Sequence, residues 1–381
     1  MSQHKKSQSH LRGLAAFVSL FLVLALSTNG AAAVRQTHIG DFTGHSPFHI
    51  NHHSLNGPVG LSPSDIKSAY NLTNAGSGSG TVVIVDAYNS PNIASDINTF
   101  SSQYGLPQCT TASGCLTVHE MVSRLSNSTS WGLETSLDTE WAHAIAPGAK
   151  ILLVEARSAS GTDLLNAVNY ARSQPGVVSI SMSWGGSEFS TEAQYDSYFT
   201  STTGATFFAS AGDSGSGVEW PAVSPNVIGV GGTTLHLTTT NTVSSETAWS
   251  GSGGGVSVYE TQPSYQTTYG IGYKNRTVPD VSYDADPSSG VSVYDSYSYY
   301  GQRGWFEIGG TSVGAPQWAA IRALGSGITN TKLYSDAKLA TGAPSFRDIT
   351  TGINGSCGTV CSAAVGYDTV TGLGSPLSTS F

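Results

Sequence analysis

Ser312 stands in Gly309-Gly310-Thr311-Ser312-Val313-Gly314-Ala315-Pro316, a glycine-rich turn ahead of an apolar stretch, Ala315 to Leu324, with helical spacing. Glycine lets the backbone turn where a side chain would clash. The start of the helix then offers free N–H groups and a dipole that favour negative charge. That is a setting for a nucleophilic hydroxyl and the oxyanion it creates. A lone serine there would be an ordinary helix cap. Three acids elsewhere in the chain argue for more. Glu134 and Asp138 lie four residues apart in Trp131-Gly-Leu-Glu-Thr-Ser-Leu-Asp-Thr-Glu140, and so project from one face of the helix expected over 133–145. Two neighbouring carboxyls titrate as a coupled pair. One can then take a serine proton while the other orients it. Leu133, Leu137 and Trp141 form an apolar stripe beside them, which predicts at least partial burial. The third acid, Asp213, lies in Ala209-Ser-Ala-Gly-Asp-Ser-Gly215, where a strand runs into a tight loop. If protonated, it could donate a hydrogen bond to a tetrahedral oxyanion. Asp86 ends the first apolar run, and Trp184 follows another; both could face the same cleft.

The elements that must hold these groups are legible as apolar runs. Val82–Val85, Ile151–Val154, Val177–Met182, Ala205–Ala209 and Val227–Val230 read as strands buried on both faces. Helical patterns over 93–104, 133–145, 163–172 and 192–200 alternate with them, so a parallel sheet with helices on both faces is expected. Residues 235 to 305, rich in Ser, Gly and Tyr, read as strands and surface loops. Active sites of such sheets lie at the carboxyl ends of the strands.

Ahead of this domain, Lys5, Lys6 and Arg12 precede the apolar run Leu14–Leu26, and Ala31-Ala32-Ala33 follows. Residues 1–33 therefore read as a secretory signal, too short for a membrane span. Export agrees with four cysteines, Cys109 with Cys115 and Cys357 with Cys361, whose proximity favours two local disulfides over zinc ligation. Residues 34–60 hold five of the ten histidines, His38, His45, His49, His52 and His53. Lacking a hydrophobic period, this segment is expected to be disordered or loosely docked, as a short pro-segment or flexible arm. Only 11% of residues are charged and the formal net charge is −9, which argues against nucleic acid or anionic membranes as partners.

Taken in order, E-x-x-x-D on a helix, S-W-G after a strand, A-S-A-G-D-S-G and G-G-T-S-x-x-x-P resemble the sedolisin family of serine-carboxyl peptidases. The resemblance runs from Leu61 to Pro376, and 61–381 would be the catalytic domain. It implies a subtilisin-like α/β/α fold around a mostly parallel seven-stranded sheet. It implies Ser312 as nucleophile, Glu134 as base, Asp138 as its partner and Asp213 as oxyanion acid. Asp86 and Trp184 match the positions that extend the hydrogen-bond chain. It also implies one structural calcium ion, with Asp348 and Asp368 as carboxylate ligands and the carbonyls of Ile349, Ala364 and Gly366. The expected protein is a secreted monomer that cleaves peptide bonds at acidic pH. Family members usually carry a large N-terminal prodomain, and here only residues 34–60 are expected between the signal and the catalytic domain. Two other readings compete. A subtilisin-type Ser-His-Asp hydrolase would need an imidazole base, and His143 lies instead in a helix interior. An inactive secreted binding module would have no reason to keep all four of Ser312, Glu134, Asp138 and Asp213.

Overall fold

β-Branched runs form the central sheet. The computed structural model describes residues 38–338, 344–377, 379 and 381, so the signal at 1–33 lies outside the described residues. The segment after it contributes the first strand, His49–Ser54 (β1). The sheet is built from Thr81–Ala87 (β2), Leu116–Glu120 (β3), Lys150–Ala156 (β4), Val177–Met182 (β5), Thr206–Ser210 (β6), Val227–Leu237 (β7), Val243–Ala248 (β8) and Val281–Asp284 (β9). Its order is β8-β7-β6-β5-β2-β4-β3, with β9 parallel to β7 from Val281 opposite Val230. All neighbours are parallel except β8 on β7, which gives seven parallel strands and one antiparallel.

Alternation along each strand sends successive side chains to opposite faces. Val82 and Ile84 join a core with Leu133, Leu137, Trp141 and Trp318. Val83 and Val85 join the other core with Leu164, Leu165, Val168 and Trp184. Helices Ile93–Tyr104 (α1), Thr129–Ile145 (α2) and Gly314–Ala323 (α4) cover the first face, and Gly161–Ala171 (α3) covers the second. The result is the expected three-layer arrangement. The α2 helix starts earlier than its apolar stripe indicates, because Ser128 caps it by accepting from the Trp131 amide. Every residue from Trp131 to Ile145 is buried, so α2 is an interior helix rather than an amphipathic one. Glu192–Phe199 is a 3₁₀ segment, not the expected α-helix.

Both disulfides form as paired in the sequence, with Cα separations of 5.0 Å for Cys109–Cys115 and 5.3 Å for Cys357–Cys361. No helix among the described residues is long and apolar enough to cross a membrane.

The N-terminal segment departs from its expected looseness. β1 pairs antiparallel with Gln302–Gly309 (β11), His49 opposite Gly309, and β11 is itself paired with Val291–Tyr299 (β10). Adding a strand to a sheet edge needs main-chain hydrogen bonds rather than an apolar face. The hydrophobic pattern therefore carries no trace of it.

Candidate active site

The strand order brings the candidate residues to one place. β6, β5 and β2 are adjacent, and at their carboxyl ends stand Asp213, Ser183-Trp184 and Asp86. The α2 helix crosses above with Glu134 and Asp138. β11 ends at Gly309 and releases the chain into Gly310, at φ 125°, then into a single 3₁₀ turn, Thr311–Val313, ahead of α4. Gly310 is required on two counts: its φ lies where side chains are strained, and a Cβ would come within 2.6 Å of Asp213 Oδ2.

Ser312, Glu134, Asp138 and Asp86 are all fully buried. Ser312 Oγ, both Glu134 oxygens, both Asp86 oxygens, Asp138 Oδ2 and Asp213 Oδ2 have no hydrogen-bond partner. Buried polar atoms are nearly always paired, so a cluster of unpaired ones marks a site prepared for a ligand or a moving proton. Ser312 and Asp138 nevertheless stand near enough to Glu134 to influence its ionisation as hydrogen-bonding neighbours.

Burial, and then the nearby Asp86, push the Glu134 and Asp138 carboxyls well above the usual range. Ser183 Oγ donates to Asp138 Oδ1 at 2.9 Å, opposing part of that rise. Asp86 is pushed up to about 7, mainly by burial, with Thr135 opposing and Glu155 adding. Trp184 turns its indole N–H onto the Val85 carbonyl at 2.9 Å and so closes the site beside Asp86. Asp213 is also pushed up to about 7 by burial, against two hydrogen bonds from Thr311. The Thr311 amide and hydroxyl both donate to its Oδ1 at 2.8 Å, which leaves Oδ2 as the oxygen free to carry a proton.

His143 is remote from this chemistry. Its Nε2 bonds the Pro107 carbonyl at 2.7 Å, and its Nδ1 lies 3.9 Å from Cys115 Sγ. A metal on that cysteine pair is excluded by the disulfide.

Two acids escaped the sequence reading. Glu155 lies opposite Asp86 in the β2–β4 register, and so on the same face of the sheet; burial pushes it up to about 7. Only the register reveals it. Glu219 fills the space beside Gly185 and Gly212, where a Cβ on either glycine would strike its side chain. The glycines of S-W-G and A-G-D were the available signal.

The calcium candidates come from two segments, 348–349 and 364–368. Asp348 Oδ2 accepts from the Gly366 amide at 2.9 Å, and Asp368 Oδ2 from the Ala364 amide at 3.0 Å. Both carboxylates thus reach 364–368, accepting backbone N–H groups, and carboxylates are the ligand type a hard cation takes.

The N-terminal segment also runs through the site. The Ser312 amide donates to the Pro47 carbonyl at 3.4 Å, and His49 Nε2 lies 3.4 Å from Asp213 Oδ2.

Comparison with known proteins points one way. The subtilase family profile matches residues 126–327. The chain is 30% identical over 357 residues to sedolisin of Pseudomonas sp. (strain 101), covering 83% of this chain and 60% of that protein. It is 35% identical over 286 residues to kumamolisin of Bacillus sp. (strain MN-32), covering 64% and 49% respectively. It therefore spans about half to three-fifths of the length of these curated relatives. Among solved structures, Pseudomonas sedolisin, a serine-carboxyl proteinase complexed with two molecules of pseudo-iodotyrostatin, is similar with a TM-score of 0.70 and 30% identity. That match covers 84% of this chain and 96% of the solved one. Sphericase, at 21% identity and a TM-score of 0.54, covers 85% and 99% and shares the fold.

Proposed function

We propose that the chain, which belongs to the subtilase family and there to the sedolisins, cleaves peptide bonds as a secreted serine-carboxyl endopeptidase active at acidic pH. The observation that carries this is the buried set of unpaired oxygens on Ser312, Glu134, Asp138 and Asp213, while the helix histidine, His143, is bonded elsewhere.

In this reading Glu134 takes the hydroxyl proton as Ser312 Oγ bonds to the substrate carbonyl carbon. The carbonyl oxygen becomes an oxyanion held by the Ser312 amide and by protonated Asp213. Glu134 then passes its proton to the leaving amine, the C–N bond breaks, and water releases the acyl group by the reverse sequence. The step requires Glu134 to be the ionised member of the coupled, buried cluster, with protons held on Asp138 and Asp86, the forms that burial favours there. Because Asp213 must keep a proton to donate, activity should decline as pH rises through about 7.

Calcium belongs to the same proposal as a structural ion. Asp348 and Asp368, with carbonyls of Ile349, Ala364 and Gly366, would hold it and tie 346–350 to 364–368.

The test is kcat/KM against pH on a peptide substrate for the parent, Ser312→Ala and Glu134→Gln. Acid-optimal cleavage by the parent and losses of several orders of magnitude in both variants are expected. Full activity in either variant, or a parent optimum near pH 8, would overturn the mechanism.

A further inference from the structure

The chain lays a peptide of its own in the groove. The Gly44 amide donates to the Ala159 carbonyl at 2.8 Å, and the Gly161 amide to the Phe42 carbonyl at 2.9 Å. The His45 amide donates to the Gly185 carbonyl at 3.0 Å, and the Gly185 amide returns to the His45 carbonyl at 3.1 Å. Residues 42–45 thus form an extended strand between Ala159–Gly161 and Gly185, antiparallel to both.

The strand leads to the nucleophile. A serine nucleophile's own amide is a usual oxyanion donor, and here the Ser312 amide points to the Pro47 carbonyl. Pro47 O and Asp213 Oδ2 are the two atoms nearest to the point where a Gly310 Cβ would sit. The carbonyl of Pro47 therefore occupies the position of the carbonyl to be attacked, and the bond presented is Pro47–Phe48.

Counted back from that bond, Gly44 is fourth and Phe42 sixth. Both are buried, whereas Thr43 and His45 face solvent. The Phe42 ring meets Trp220 edge-on at 4.9 Å and Phe189 at 5.9 Å. A Cβ on Gly44 would come within 2.8 Å of Leu164. The pocket is thus filled from the sixth residue, and the fourth has no room for a side chain. Gly186 makes the space: a Cβ there would come within 2.8 Å of the Phe42 ring, and all its nearest atoms belong to Phe42 and Thr43.

We propose that this groove selects peptides with an aromatic residue six places before the cleaved bond and glycine four places before it, residues 42–48 being the chain's own copy of that pattern. The proposal rests on the peptidase reading above. Full-length protein is incubated with a proteome-derived peptide library at about pH 4.5, and cut sites are mapped by mass spectrometry. Burial of an aromatic ring predicts about tenfold or greater enrichment of Phe, Tyr or Trp at the sixth position, with glycine enriched at the fourth. Gly186→Ala should erase the aromatic preference. Cutting without preference at these positions overturns the proposal and leaves the peptidase reading intact. Absence of any cutting overturns the peptidase reading, and the groove is then judged by hydrogen exchange in the Ser312→Ala chain. There the His45 amide should exchange at least about tenfold faster with Phe42→Ala than with Phe42→Tyr; equal rates overturn the proposal.

Discussion

Replacing Asp213 by Asn tests its proposed oxyanion role through stability as well as rate. Burial raises the carboxyl from 3.8 to about 7; the two Thr311 hydrogen bonds and His45 oppose the rise, and Glu219 adds to it. His49 Nε2 lies 3.4 Å from it, and Glu134 is near enough for the two carboxyls to repel. An acid with a raised folded-state pKa keeps a proton that the unfolded chain releases. Its stabilising share is complete below the unfolded value, is lost as pH rises from about 4 to about 7, and is constant above that. A rise of about three pH units, at roughly 1.4 kcal/mol for each, amounts to about 4 kcal/mol. Asparagine does not titrate, so Asp213→Asn removes this slope. The assay is urea unfolding at about pH 4 and about pH 7.5, in a Ser312→Ala background that prevents self-digestion. Between those two conditions the chain that retains Asp213 should lose about 4 kcal/mol more stability than the Asp213→Asn variant loses. In rate, Asp213→Asn keeps an N–H donor, so it should cost less than the roughly 10²–10³ in kcat expected of Asp213→Ala. Parallel stability curves with equal kinetic losses would refute the neutral-donor role.

Two further outcomes follow from other parts of the molecule. Excess chelator should lower the melting temperature, and more so at neutral than at acidic pH, because carboxylate ligands must be ionised to bind; an unchanged melting temperature with no calcium by elemental analysis refutes the calcium proposal. Arg276 is fully buried against Asp280, with Nη1–Oδ1 at 2.7 Å, while the Gly229 amide and Tyr334 hydroxyl also reach that carboxylate. Arg276→Ala would leave a buried charge unpaired and should cost about 3–5 kcal/mol in urea unfolding, a loss under about 1 kcal/mol counting against this account.

What the sequence made legible was whatever local pattern records. Val82–Val85 and Val177–Met182 are buried on both faces, so their composition alone identifies them as strands, and β2 and β5 contain them. The Leu133, Leu137 and Trp141 stripe likewise announces a helix and the burial of the acids on it. What escaped was fixed by pairing between distant residues. Asp86 and Glu155 meet because β2 and β4 align residue for residue, and register is not written in either strand. Arg276 and Asp280 lie in a stretch read as strands and surface loops, yet both are fully buried. There the polarity of the residues concealed an internal ion pair. The N-terminal segment is the sharpest case. Its histidines face outward or half outward while its main chain bonds to Ala159, Gly185 and β11. Side-chain chemistry therefore describes only the exposed face of this strand. The groove-facing face consists of Phe42, Gly44 and Pro47, three residues too sparse to form a hydrophobic period. The complementary record lies in the partner glycines Gly161, Gly186 and Gly310, where a Cβ would strike Ile39, Phe42 and Pro47. Missing side chains on one segment and inserted ones on another make a lock that neither stretch reveals alone.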